Sequence, residues 1–186
     1  MSVVLVDCTL RDGGYYNNWD FPPDLISEYL EAMSALAVDY AEIGFRSLNR
    51  RGFKGGAAYS TDAWIRGLRV PDRLKLGVMV NASELVSHSE GVISALEKLF
   101  GPASESPVEL VRLACHAHEF AAVLPGCAWL SQKGYRVGVN LMQIADRSAR
   151  EIEQLAKGAS ACPADVLYFA DSMGSMGPEQ TAAIVK

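Results

Sequence analysis

The 186-residue sequence predicts an α/β fold with a parallel sheet, of (β/α)8 TIM-barrel type, on three observations. Short β-branched and aliphatic runs alternate with segments of helical period along the whole length, as successive strand–helix units do. One face of most of these runs is aliphatic, while the other mixes glycine with polar groups. Those polar groups thicken toward the C-terminal end of the runs, where a barrel of this kind carries its reactive side chains.

The elements follow in order. An apolar run at 3–6 is the first strand and ends in the charged stretch 7–14. A loop rich in Tyr, Asn and Pro (15–23) precedes a helix over 24–37, marked by Leu25, Ile26, Tyr29, Leu30, Met33 and Leu36. Strand two is 40–46, and a Gly- and Arg-rich loop at 49–56 leads to a short helix over 61–68. Strand three is 74–81, with its helix over 83–100. After a Pro- and Ser-rich loop at 101–107 come strand four, 109–116, and a helix over 119–133 that Pro125-Gly126 interrupts. Strand five is 135–142, its helix 148–161, and strand six 166–170. A last helix opens at Pro178, in a first turn where proline is tolerated. No linker divides the chain, so 1–186 reads as one domain.

The strand faces favour the barrel over a doubly wound sheet. Ile43 and Phe45 share one face of strand two, and Glu42, Gly44 and Arg46 the other. Gly77, Met79 and Asn81 oppose Val78 and Val80 in strand three. Arg112, Ala114 and His116 oppose Val111, Leu113 and Cys115 in strand four. Gly138, Asn140 and Met142 oppose Val137, Val139 and Leu141 in strand five. An open sheet covered by helices on both sides would be apolar on both. A barrel has eight strands and about 250 residues, so six of eight units are present and the domain is C-terminally incomplete. The open edges of strands one and six then invite a homo-oligomer or another partner.

A net charge of −5 gives no electrostatic reason to expect nucleic acid or an anionic membrane. The apolar start is too short for a signal peptide, and no run reaches membrane-spanning length. Cys8, Cys115, Cys127 and Cys162 form no CxxC pair, which argues against structural zinc and disulfides and for a cytoplasmic protein.

The strand ends bring together Arg11 and Asp12, Glu42 and Arg46, Asn81, His116 and His118, Asn140 and Gln143, and Asp171 and Ser172. Simpler readings stand beside the functional ones. Arg11 and Glu42 make a structural ion pair, Asp171 caps the next loop, and Asn81 and Asn140 satisfy backbone groups. His116 and His118 share a strand face and suit one metal, or strand four ends at His116 and His118 is solvated. Every lysine falls in a loop, a helix or a strand start, which argues against an imine mechanism. A pocket of carboxylate and other oxygen donors suits a hard cation, Mg²⁺ or Mn²⁺.

The stretch Asp-Cys-Thr-Leu-Arg-Asp-Gly at 7–13 resembles the first-strand signature of the DRE-TIM metallolyases, metal-dependent barrel lyases and synthases. Glu-Ile-Gly-Phe-Arg (42–46), Arg-Leu-Ala-Cys-His (112–116) and Ala-Asp-Ser-Met-Gly (170–174) resemble later strand ends of its aldolase branch. The resemblance implies Asp12 as a metal ligand, Arg11 as the catalytic cation, Glu42 as its partner and Ser172 as a substrate contact. The family's remaining ligands, a His-x-His pair on strand seven, lie beyond the sequence. Its catalytic histidine corresponds to Tyr15, and a phenol, at about 10 in model peptides, is in general a poor base.

The function so implied is metal-dependent cleavage of a 4-hydroxy-2-oxo acid to pyruvate and an aldehyde. Arg11, Glu42 and Tyr15 would be catalytic, and Arg46, Asn81, His116, Asn140 and Ser172 would contact the 2-oxo acid. An acyl-CoA lyase or synthase on the same core is the alternative, and a catalytically silent fragment is a third reading.

Overall fold

The computed structural model describes residues 3–185. Strand β1 spans only Val6–Asp7, far less than the apolar run suggests, and Val3, Val4 and Leu5 are exposed. The backbone of Leu5 still holds this edge. Its N–H donates to the Asp39 carboxylate (2.8 Å), and its carbonyl accepts from the amides of Asp39 and Tyr40. The charged stretch that follows is a helical turn, α1 (Thr9–Gly13). The Asp7 carboxylate accepts from the Thr9 amide (2.9 Å) and turns the chain out of the strand.

The remaining strands are β2 (Tyr40–Phe45), β3 (Lys75–Asn81), β4 (Val108–Cys115), β5 (Arg136–Met142) and β6 (Val166–Ala170). All pair in parallel, in the order β1-β2-β3-β4-β5-β6. The sheet curls into a half-barrel, six units of a (β/α)8 fold. Helices α2 (Pro23–Ala35), α3 (Asp62–Arg66), α4 (Ala82–Val86), α5 (Gly91–Glu97), α6 (Phe120–Gln132) and α7 (Ala149–Ser160) connect the strands, and α8 (Pro178–Val185) follows β6. Ile43, Val78, Val80, Val111, Leu113, Val137, Val139 and Leu141 join helix residues such as Leu30, Leu85, Leu96 and Leu130 in the main core. Burial of these aliphatic faces drives the layer packing. Among the described residues, no helix is long and apolar enough to cross a membrane.

Two helix expectations are corrected. The segment 83–100 is two helices, because Gly91 adopts φ +86°, which a regular helix does not permit. Helix α6 runs unbroken through Pro125, and Gly126 lets it sit close to α5: a Cβ there would lie 3.0 Å from Leu96 and Val92 side-chain atoms. Helix α7 starts as its sequence suggests, with Ser148 and Glu151 forming a reciprocal capping box.

Strand β2 departs from simple alternation. Glu42 pairs with Gly77 and Phe45 with Met79, so a bulge lies between them. One extra residue reverses the side-chain alternation that follows. Phe45 consequently joins Trp19, Ala57, Ala58, Met79 and Ala114 in a second, inner cluster. The inner surface also carries Glu42, Arg112, Asn140 and Tyr168.

Candidate active site

Glu42 lies at the centre of this inner surface and is fully buried. A lone carboxylate there would be prohibitively costly, and each of its oxygens has a cation. Oε1 accepts from Arg11 Nε at 2.8 Å, and Oε2 accepts from Arg112 Nη1 at 3.0 Å. Arg112 Nη1 also contacts Cys8 Sγ at 3.2 Å, and Nη2 donates to Asn140 Oδ1 at 3.1 Å. Its guanidinium carbon stands 4.3 Å from the centre of the Tyr168 ring. Arg11 continues outward to Asp12, its ion-pair partner on the solvent side.

The short helix α1 aims Arg11 inward, and Trp19 braces it. The indole Nε1 donates to the Arg11 carbonyl at 2.9 Å, and Trp19 itself is held at φ +58°, an uncommon backbone for a bulky residue. The brace depends on Gly14, where a Cβ would stand 1.9 Å from the Trp19 ring. Gly13 and Gly14 have ordinary right-handed φ values. Gly14 therefore supplies space for the Trp19 ring, while a Cβ at Gly13 would meet nothing closer than Phe21 at 3.9 Å. Trp19, Arg112, Cys8 and Tyr168 belong to this cluster, and sequence reasoning singled out none of them for the site. Arg112 shares the interior face with Ala114 and His116 in the alternation, a signal that its charge needed a buried partner.

Asp12 lines an open cleft of about 620 Å³ with Cys8, Thr9, Gly13, Tyr15 and Tyr16. Its side chain is 60 % exposed. Tyr15 is exposed and packs edge-on against Trp19 (centroids 4.8 Å apart) and Phe45 (6.2 Å). Burial disfavours the Arg11 cation, but Glu42 and Asp12 outweigh this and hold its pKa above the ordinary value. Burial first, and Glu42 second, push the Cys8 thiol up despite the two arginines, so it stays neutral beside the cluster.

The other expected residues divide. Asn140 joins the network through Arg112. The Ser172 hydroxyl accepts from the Gln143 amide at 3.3 Å, and Gln143 adopts φ +55°. Asn81 sits half-buried at the end of β3, at the N-terminus of α4, and makes no side-chain cap there. His116 lines a cleft of about 440 Å³ with Ala117, His118, Met142, Gln143 and Arg147. His116 and His118 stack at 5.6 Å with their planes 8° apart, and His118 is exposed. Asp171 accepts from the Met176 amide (2.7 Å) and the Ser175 hydroxyl, the loop-capping arrangement. Chiefly those backbone bonds lower its pKa.

Arg46 is a correction. The β2 bulge turns it away from the cleft, where it donates to the carbonyls of Ser60 (3.1 Å) and Leu99 (3.0 Å) and pairs with Asp62. Its guanidinium lies over Phe100. It ties β2 to the surrounding helices. Among the described residues, no three His, Cys, Asp or Glu side chains are grouped to hold a metal.

No family model matches the chain. It is 23 % identical over 185 residues to an oxaloacetate decarboxylase of Mycobacterium tuberculosis, covering 98 % of this chain and 52 % of that protein. It is 24 % identical over 181 residues to 4-hydroxy-2-oxovalerate aldolase 4 of Rhodococcus opacus, covering 96 % and 49 %. The chain spans about half the length of these curated relatives. Among solved structures, the N-terminal domain of a Bacteroides vulgatus protein described as an aldolase superposes with TM-score 0.84 at 27 % identity, covering 98 % of this chain and 59 % of that one. A hydroxymethylglutaryl-CoA lyase of Pseudomonas aeruginosa superposes with TM-score 0.71 at 16 % identity, covering 99 % and 62 %, a likeness of fold alone. With its six-strand half-barrel and its Arg-Asp and Glu signature residues in one cluster, the chain fits the DRE-TIM metallolyase superfamily with partial coverage.

Proposed function

We propose that this chain carries the enolate-stabilising half of a metal-dependent lyase that cleaves a 4-hydroxy-2-oxo acid to pyruvate and an aldehyde. The observation that carries this reading is the Arg11 guanidinium, held by buried Glu42 on one side and paired on the other with Asp12, which lines a cleft. In the retro-aldol step the C4 hydroxyl loses its proton and the C3–C4 bond breaks. The electron pair moves to the C2 carbonyl oxygen, giving the pyruvate enolate, which is then protonated at C3. Arg11 would hold the 2-oxo acid and stabilise the charge growing on that oxygen as a preorganised donor. Glu42 would orient Arg11. Tyr15 or a water would take the hydroxyl proton.

Asp12 is the carboxylate placed to ligate Mn²⁺ or Mg²⁺ in the cleft, an ion whose chemistry would be polarisation of the keto-acid oxygens. One carboxylate is not a complete site, and such an ion also takes water and substrate oxygens as ligands; the proposed steps are those of the chain's own side chains.

The Mycobacterium relative's name points to decarboxylation of oxaloacetate, and loss of carbon dioxide from that acid gives the same enolate. The test is pyruvate release from a 4-hydroxy-2-oxo acid and from oxaloacetate with added Mn²⁺, scoring aldehyde against carbon dioxide. Aldehyde formed with pyruvate supports the aldolase, pyruvate from oxaloacetate alone supports the decarboxylase, and no pyruvate from either refutes both. Consumption of an acyl-CoA thioester instead would move the chain to the other branch.

A further inference from the structure

We infer that Arg112 is the positioning residue that keeps Arg11 open to substrate, acting through Glu42. The inference rests on the reading of Arg11 as the catalytic cation. A carboxylate and a guanidinium left to themselves tend to close into a bidentate pair, with both oxygens on two N–H groups. Here Arg11 meets Glu42 through Nε and Oε1 alone, because Oε2 is taken by Arg112. The Nη edge of Arg11 is therefore turned away from Glu42. Its Nη1 reaches Asp12, and among the described residues Nη2 has no hydrogen-bond partner. That is the edge a 2-oxo acid would use.

Arg112 is itself built in. It is 6 % exposed, and Glu42, Cys8, Asn140 and the Tyr168 face fix its plane. Gly138 makes the space: a Cβ there would lie 3.1 Å from Arg112 Cγ and 2.9 Å from the Tyr168 ring. The Arg112 Nε–H is buried with no partner, so the guanidinium is oriented for its neighbours at the expense of one of its own donors. Two cations also share one carboxylate. With Asp12 counted, the two cations balance two carboxylates, whereas Arg11, Asp12 and Glu42 alone would carry a net negative charge that disfavours an anionic acid.

The experiment compares Arg112→Gln, Arg112→Lys, Glu42→Gln and the Arg112→Gln/Glu42→Gln double variant of the full chain, with thermal melts to confirm folding. Pyruvate release is expected to fall in kcat by about 10- to 100-fold in Arg112→Gln, the scale of a misplaced catalytic group. Lysine should recover part of the loss. In the double variant the loss should match that of Glu42→Gln, since both act on one chain of contacts. An unchanged kcat in Arg112→Gln, or losses that multiply, would overturn the inference. If Arg112→Gln does not fold, Gly138→Ala displaces Arg112 more gently, and a folded Gly138→Ala chain with unchanged kcat overturns it equally. The Arg11 Nε–Hε resonance in ¹⁵N-labelled protein gives a second reading that needs no turnover. A shift of that signal in Arg112→Gln supports the positioning even where no pyruvate is released, which would count against the proposed function alone. An unmoved signal refutes the positioning.

Discussion

The same three strands build a charge cluster at each end of the half-barrel, and the two clusters differ in burial. At the C-terminal end, β2, β4 and β5 supply Glu42, Arg112 and Asn140. At the N-terminal end they supply Tyr40, Glu109 and Arg136, joined by Lys75 from β3 and Asp165. Lys75 and Glu109 are 52 % and 39 % exposed, while Glu42 is at 0 %. Water screens the lower cluster, so its ion pairs contribute little. The upper one is dry, and removing a partner strands a charge. A buried three-charge cluster is weak evidence for stability, because apolar packing would serve as well. Its contact with Asp12 and Cys8, which line a cleft, is what makes it the candidate site.

Breaking the upper cluster should have the largest effect. Glu42→Ala leaves two guanidinium groups facing each other and should lower stability by about 3–5 kcal/mol, read from urea unfolding. Arg11→Ala removes the outer cation and should reduce pyruvate release by about 10²- to 10³-fold, with Mn²⁺ affinity by calorimetry largely kept because Asp12 remains. The lower cluster sets the opposite limit. Lys75→Ala should change stability by less than about 1 kcal/mol and leave turnover unaltered. A large activity loss there would erase the contrast between the two ends.

A pH titration sharpens the same contrast near β1. Burial raises the Asp7 carboxyl, but hydrogen bonds from the Tyr29 hydroxyl and from Thr9 outweigh it and leave the pKa below the ordinary value. A folded-state pKa that is lowered stabilises above the unfolded value, near 4, and that contribution is lost as pH falls through the folded value. Stability should therefore drop more steeply between pH 5 and 3 in the unaltered chain than in Asp7→Asn. Equal slopes would show that Asp7 is not so held.

Much of the fold was legible because parallel strands under helices read as aliphatic faces, as in Val111, Leu113 and Cys115 of β4. The curl of the sheet was legible in the opposite face, through Gly77, Gly138 and Asn140. Local alternation fails wherever the backbone breaks its period. The β2 bulge moved Phe45 inward and Arg46 outward, and its signal in 42–46 was Gly44, since an isolated glycine in a strand marks a bulge or a close backbone approach; a Cβ there would stand 1.8 Å from the Ala57 carbonyl oxygen. Trp19 was hidden for a related reason: a tryptophan at positive φ is strained, and only its neighbours Gly14 and Arg11 explain it. Arg112 was visible as an interior cation, but its partner on β2 depends on the curvature that brings β4 opposite α1. The Asp7-to-Gly13 motif located Arg11 and Asp12 while leaving their short helix unannounced, since the turn is set by the Asp7 carboxylate.

The account stands most directly on pyruvate release by the unaltered chain and by Arg11→Ala, with a 4-hydroxy-2-oxo acid and Mn²⁺. It predicts pyruvate and aldehyde in equal amounts from the first, and a loss of at least about 100-fold in the second with the melting temperature preserved. Equal release by the two proteins, or none by the unaltered chain, would contradict it.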